Sequence, residues 1–184
     1  HLVALAKAGN LYDVKTIGII RGKEWEKKYL FNPSLSFCKK NNMDLYFVSR
    51  EEYRLYQKGI TSKKIINSNS KLKIIGEGGK CKEAIKGCKE ILTSCDKDFD
   101  TLCVSVGTGS TISGVIESSN SNQFVLGFLS LKHKKMKKEI LKNTSRVNWK
   151  LIDDYIFKGY ARVNEELINF INDFYKEYKI PLDP

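Results

Sequence analysis

The residues best suited to chemistry in this 184-residue chain lie between Val104 and Gly114, where Val104-Ser105-Val106 runs into Gly107-Thr108-Gly109-Ser110-Thr111 and on to Ile112-Ser113-Gly114. An apolar run followed by glycines and hydroxyls predicts a buried strand that bends into the start of a helix. Such a bend offers an anion three things at once. Glycines let backbone N–H groups come close, hydroxyls at Thr108, Ser110 and Thr111 donate hydrogen bonds, and the helix start carries partial positive charge. Open α/β sheets bind ligands at this position, past the carboxyl end of a strand. The spacing excludes G-x-x-x-x-G-K-[ST], and it fails G-x-G-x-x-G because Gly114 comes five residues after Gly109. The pattern alone leaves two readings standing, a phosphate cradle and an ordinary Ser/Thr N-cap.

Three other constellations are weaker. Gly76-Glu77-Gly78-Gly79 follows an apolar run and precedes a helical one, so it is placed to bring a second stretch of backbone to the same sheet edge. Gly159-Tyr160, after Asp153-Asp154, is a turn whose phenol reads as core filler before it reads as a surface residue or as an acid or base. Five cysteines, at 38, 81, 88, 95 and 103, form no C-x-x-C and are odd in number, which argues against a disulfide framework and a zinc ribbon and for a reducing compartment. Cys81, Cys88 and Cys95 recur every seven residues, so two or three of them are expected to share a helix face, as small core residues before a metal site; a metal would need a fourth ligand from a chain whose only histidines are His1 and His133.

The elements that must position these groups follow from apolar periodicity. Residues 14–20, 45–48, 72–75, 102–106, 124–129 and 150–152 read as strands, most of them buried on both faces. Residues 82–94, 136–141 and 163–178 read as helices, and the chain opens in helical pattern at Leu2, Val3, Leu5 and Ala6. Strands alternating with helices predict an α/β fold in two lobes, each an open, doubly wound, mostly parallel sheet with flanking helices. A polar cluster, Asn67-Ser68-Asn69-Ser70-Lys71, marks the seam, giving a small lobe over 1–71 and a large, phosphate-binding lobe over 72–184. With 41% hydrophobic residues, 11% aromatics, 13 Gly and only 3 Pro, collagenous, Pro-rich and disordered classes are excluded. No apolar run is long enough to span a membrane, and residues 1–20 lack the order of a signal peptide, so a soluble, cytoplasmic protein is expected.

The net charge of +11 admits an anionic partner or a well-solvated surface. Only five of the 32 basic residues are Arg, and the densest run, from Lys132 to Lys138, has no aromatic interleaved, so a solvated face is the expectation there and nucleic acid a rival.

Taken together, these segments resemble the pyridoxal-phosphate enzymes of the tryptophan-synthase-β type (fold type II), in the branch of 1-aminocyclopropane-1-carboxylate deaminase and D-cysteine desulfhydrase. The resemblance rests on His1-Leu2-Val3-Ala4-Leu5-Ala6, Ile20-Arg21-Gly22, Asn32-Pro33-Ser34-Leu35, Phe47 to Tyr53, Gly76 to Gly79 with Gly87-Cys88-Lys89-Glu90, Gly107 to Thr111, and Lys158-Gly159-Tyr160. It runs over essentially the whole chain. It implies that Gly107, Thr108, Gly109, Ser110 and Thr111 hold the phosphate of pyridoxal 5′-phosphate and that Tyr160 faces the substrate as proton donor, acceptor or orienter. The substrate would be a small amino acid, 1-aminocyclopropane-1-carboxylate or D-cysteine, and the products ammonia and a 2-keto acid. Family members commonly pair, so a homodimer is implied as well.

The sequence departs from the family in one respect. The family's imine-forming lysine would fall before His1 and its second active-site tyrosine after Pro184, so no lysine here is nominated. The chain is expected to be a fragment, inactive by itself, of a larger enzyme. Two rivals of another class stand beside this reading: a basic nucleic-acid-binding α/β module, and a non-catalytic module holding a nucleotide phosphate at Gly107 to Thr111.

Overall fold

The computed structural model describes residues 1–57, 72–156, 159 and 162–182. It is an α/β protein with two parallel sheets, one of two strands and one of three. The chain divides into two compact units, His1–Glu77 and Gly78–Pro184. The polar cluster at 67–71 lies outside the described residues.

In the first unit, α1 (Leu2–Leu11) leads into β1 (Ile17–Arg21), α2 (Pro33–Lys40), β2 (Asp44–Val48) and α3 (Arg50–Gln57). β1 and β2 pair in parallel, Ile17 opposite Asp44 and Arg21 opposite Val48. The start of α2 is written in the sequence: the Asn32 side chain accepts the Leu35 N–H at 3.1 Å, and Pro33 supplies the first helical residue, where a missing N–H costs nothing. The core here is small. Ala6 of α1, Cys38 of α2 and Met43 are fully buried and gather Leu2, Val3, Leu5 and Leu45 around them.

The second unit contains α4 (Lys82–Cys88), β3 (Thr101–Val106), α5 (Ser110–Ser118), β4 (Phe124–Leu129), α6 (Met136–Leu141), β5 (Trp149–Ile152) and α7 (Glu165–Tyr178). Its strands lie in the order β3-β4-β5, all parallel, with Val106 opposite Leu129 and Gly127 opposite Leu151. The core joins Val106, Ile112, Val115, Ile116, Val125, Met136 and Ile140, so α5 and α6 cover the sheet face that carries Leu102, Val104 and Val106. Two glycines allow this closeness. A Cβ at Gly127 would sit 2.3 Å from Ile112 Cδ1, and one at Gly114 would sit 2.4 Å from Cys88 Cβ, where α5 meets α4. Gln123, almost fully buried, ties the turns at the base of the sheet: its Nε2 donates to the carbonyls of Asp96 (2.7 Å) and Phe99 (2.9 Å), and its Oε1 accepts the Asn120 N–H at 2.9 Å.

The structure departs from the sequence pattern in several places. Residues 72–75 form no strand: Leu72, Ile74 and Ile75 are exposed, and no described strand offers them a ladder partner, so β-propensity alone does not order them. β3 is not buried on both faces. Thr101, Cys103 and Ser105 are exposed, opposite the helix-covered side. Of the thiols at 81, 88 and 95, two belong to one helix, Cys81 as the N-cap of α4 and Cys88 as its last residue; Cys95 lies in a separate 3₁₀ turn, because α4 stops well short of residue 94. α7 is amphipathic as expected, with Phe170, Phe174 and Tyr178 stacked one turn apart at 6.0 and 4.6 Å, but buries none of its residues. No helix among the described residues is long and apolar enough to cross a membrane.

Candidate functional site

Gly107 to Thr111 forms the bend between β3 and α5. The chain reverses at Gly109, whose φ of +87° lies in the left-handed region that glycine tolerates and other residues resist. A side chain at Gly109 would also meet Met136 Sδ at 3.0 Å, since α6 packs directly over the bend. With glycine at the N-cap, no side chain caps α5. The N–H groups of Ser110, Thr111 and Ile112, the first of the helix, have no intrahelical acceptor and concentrate the positive end of its dipole.

The second glycine segment reaches this bend. Gly78, at φ +70°, lies beneath Thr108: a Cβ there would sit 2.3 Å from Thr108 Cγ2, and the Thr108 hydroxyl donates to the Gly78 carbonyl at 3.4 Å. The two glycine-bearing turns are thus interlocked, and any residue larger than glycine at 78 would push Thr108 out of place.

A cleft of about 210 Å³ opens beside the bend, lined by Thr108, Gly109 and Ser110 on one side and by Lys80, Cys81, Lys82 and Ile85, with Glu139, Lys142 and Asn143, on the others. Ser110 is 7% exposed, and its Oγ is the one buried side-chain oxygen or nitrogen among the described residues with no hydrogen-bond partner. A buried hydroxyl left unpaired costs about 1–3 kcal/mol, so an orphan of this kind is the mark of a group that expects a partner. Its neighbour Ser113 differs in this respect, donating to the Gly109 carbonyl at 2.7 Å.

The cleft's electrostatics are cationic with one acidic strap. Glu139 accepts from Lys80 at 2.8 Å and from Lys142 at 3.1 Å. Those two ammonium groups, Lys80 first, hold the Glu139 carboxyl well below its ordinary value, down to about 2. Glu139 therefore stays ionised and cancels part of the charge, leaving Lys82 and the remainder of the Lys80 and Lys142 fields to face an anion. On the far half of α5, Glu117 is also held low, first by the Thr144 hydroxyl and then by Lys89 at 3.3 Å.

Of the five nominated binding residues, Thr108, Gly109 and Ser110 line the cleft; Gly107 and Thr111 flank it and are exposed. Tyr160 lies outside the described residues. Lys80, Lys82, Glu139 and Lys142 were not singled out by the sequence. Lys80 adjoins Gly79 and could have been flagged from that, but Lys142 reaches the cleft only because α6 folds back over Gly109. From Lys132 to Lys138 every lysine is exposed, while Met136 and Ile140 turn inward, so the basic run is the solvated side of α6 and the loop before it. No group of three or more His, Cys, Asp or Glu residues able to hold a metal occurs among the described residues, and their cysteines are free thiols.

These features form a cradle that suits a small dianion: a helix start without a cap, an unpartnered hydroxyl, and lysines on the facing wall. No protein-family model matches the chain, and no curated protein does.

Proposed function

We propose that the cleft beside Gly107 to Thr111 binds the phosphate of pyridoxal 5′-phosphate and that the protein is a deaminase or desulfhydrase of small amino acids, 1-aminocyclopropane-1-carboxylate or D-cysteine. The observation that carries this reading is the orphaned, buried Ser110 Oγ at the uncapped start of α5, beside a cleft that Ser110 lines together with Lys80, Lys82 and Lys142. A phosphate there would accept from the Ser110 hydroxyl and from the first N–H groups of α5, satisfying donors that otherwise have no acceptor.

When bound, the cofactor supplies an electron sink that allows a bond next to the substrate's amine to break. The chain's own part is to hold and orient. Thr108, locked against Gly78, fixes the height of the bend, and Met136 and Ile140 exclude water from behind Gly109. Tyr160 would hold or pass a proton at its phenol oxygen. The same reading places the protein in a reducing, cytoplasmic setting and as a pair of like chains.

The test uses a ligand without the aldehyde, so that stray lysine adducts play no part. Calorimetry should show pyridoxine 5′-phosphate binding to the 184-residue chain, competed by inorganic phosphate, and no binding of pyridoxine. Equal affinity for the two, or none for either, would refute the phosphate cradle. Adenosine monophosphate binding more tightly than pyridoxine 5′-phosphate would favour the nucleotide module, and polynucleotide uptake falling steeply with salt would favour the nucleic-acid module.

A further inference from the structure

Cys81 shares the anion cleft. It stands at the N-cap of α4, its Sγ accepting the Ala84 N–H at 3.3 Å, between Lys80 and Lys82, and all three residues line the cavity that Ser110 and Gly109 line from the other side. The other thiols are placed differently. Cys38 is fully buried, and burial pushes its thiol up; Cys88 packs against Gly114; Cys95 and Cys103 are exposed, away from the cleft. The unpartnered Ser110 hydroxyl is the independent sign that the cavity takes a ligand.

We propose that Cys81 is a modification site coupled to the cleft: a mixed disulfide formed there with an anionic low-molecular-weight disulfide, such as oxidised glutathione, and an anion bound at the start of α5 exclude one another. This rests on the anion-binding reading given above. In the exchange, the Cys81 thiol gives its proton to solvent and its sulfur attacks one sulfur of the incoming disulfide. The old S–S bond breaks as the new one to Cys81 forms, and the displaced glutathione leaves as a thiolate that takes up a proton. The disulfide is the only oxidant required. Its carboxylates suit the lysine-lined wall that suits phosphate, so the two compete for charge as well as for space.

The test follows modification of each cysteine of the intact chain by peptide mass spectrometry. Oxidised glutathione should modify Cys81 faster than does the cationic disulfide cystamine, with no such preference at Cys103. Inorganic phosphate at ten times its dissociation constant, determined independently by phosphorus NMR, should slow Cys81 about ten-fold by mass action and leave Cys103 unchanged. Conversely, glutathionylation should abolish phosphate binding in the wild-type chain and in Cys103→Ser, whereas treating Cys81→Ser with oxidised glutathione should leave that variant's phosphate affinity, whatever it is, where it stood before treatment. Phosphate that binds but does not protect Cys81 would overturn the coupling while the anion reading stands. Phosphate that does not bind at all would overturn both.

Discussion

Replacing Ser110 with alanine changes two things of opposite sign. The Ser110 Oγ is buried without a protein partner. Removing it relieves a desolvated hydroxyl worth about 1–3 kcal/mol, and alanine adds up to about 0.5 kcal/mol as the better helix former. The S110A chain should therefore be more stable than wild type by about 1–3.5 kcal/mol. Phosphate reverses the order of merit. The hydroxyl's bond to a charged oxygen contributes about 1.5–3 kcal/mol, so the variant should bind phosphate roughly 10- to 150-fold more weakly and gain less stability from it. Trp149 lies on β5 of the same unit, its Nε1 donating to the Arg146 carbonyl at 2.8 Å, so urea unfolding can be followed by its fluorescence in a Trp25→Phe background, with and without phosphate. A variant less stable than its parent without phosphate would show that Ser110 has a protein partner. Unchanged affinity would show that the anion does not sit at this helix start.

Three further outcomes are expected. Gly78→Ala places a Cβ at φ +70° against the stiff Thr108 side chain, and should cost about 1–3 kcal/mol and weaken phosphate binding along with it; a neutral result in both assays would dissolve the interlock of the two turns. Gly114→Ala drives a Cβ into the Cys88 backbone carbon at 2.7 Å and the Ile85 carbonyl at 2.9 Å, so α4 and α5 must part, at a cost of about 3 kcal/mol measurable as a lower urea midpoint; wild-type stability would refute the close packing of the pair. Because the folded state lowers the Glu139 carboxyl to about 2 from its ordinary 4.5, the stabilisation given by its lysine pairs is present above 4.5 and lost as pH falls toward 2. Carbon-13 NMR of the Glu139 carboxyl should titrate near the lower value, and a midpoint near 4.5 would mean that the Lys80 and Lys142 pairs do not form in solution.

Much of the fold was legible because its signals are local. The apolar runs at 45–48, 102–106, 124–129 and 150–152 lie in strands β2 to β5, and α6 occupies the expected residues. Residues 72–75 have the same composition, but whether such a run pairs depends on what lies beside it, which periodicity does not encode. The exposed side of β3 escapes periodicity for the same reason. Within the site, the bend at Gly107 to Thr111 could be read because glycine, hydroxyl and helix start are consecutive in sequence. Its facing wall could not: Lys80 and Lys142 are brought to Glu139 by chain topology, and a lysine's neighbours in space leave no trace in its neighbours in sequence. The orphan status of Ser110 is likewise a property of packing, since Ser113, three residues on, has the same hydroxyl and a partner in the Gly109 carbonyl.

The Gln123 carboxamide has a consequence for the protein's lifetime. Its amide nitrogen faces two carbonyls, those of Asp96 and Phe99, and its oxygen holds one N–H. Spontaneous hydrolysis of that amide to a carboxylate would turn both donors into negative oxygen opposite two carbonyl oxygens, converting attraction to repulsion where the 3₁₀ turn feeds β3. Chemical ageing at one buried atom would then loosen the strand from its base, and its rate is restrained by the same burial that keeps water from the amide.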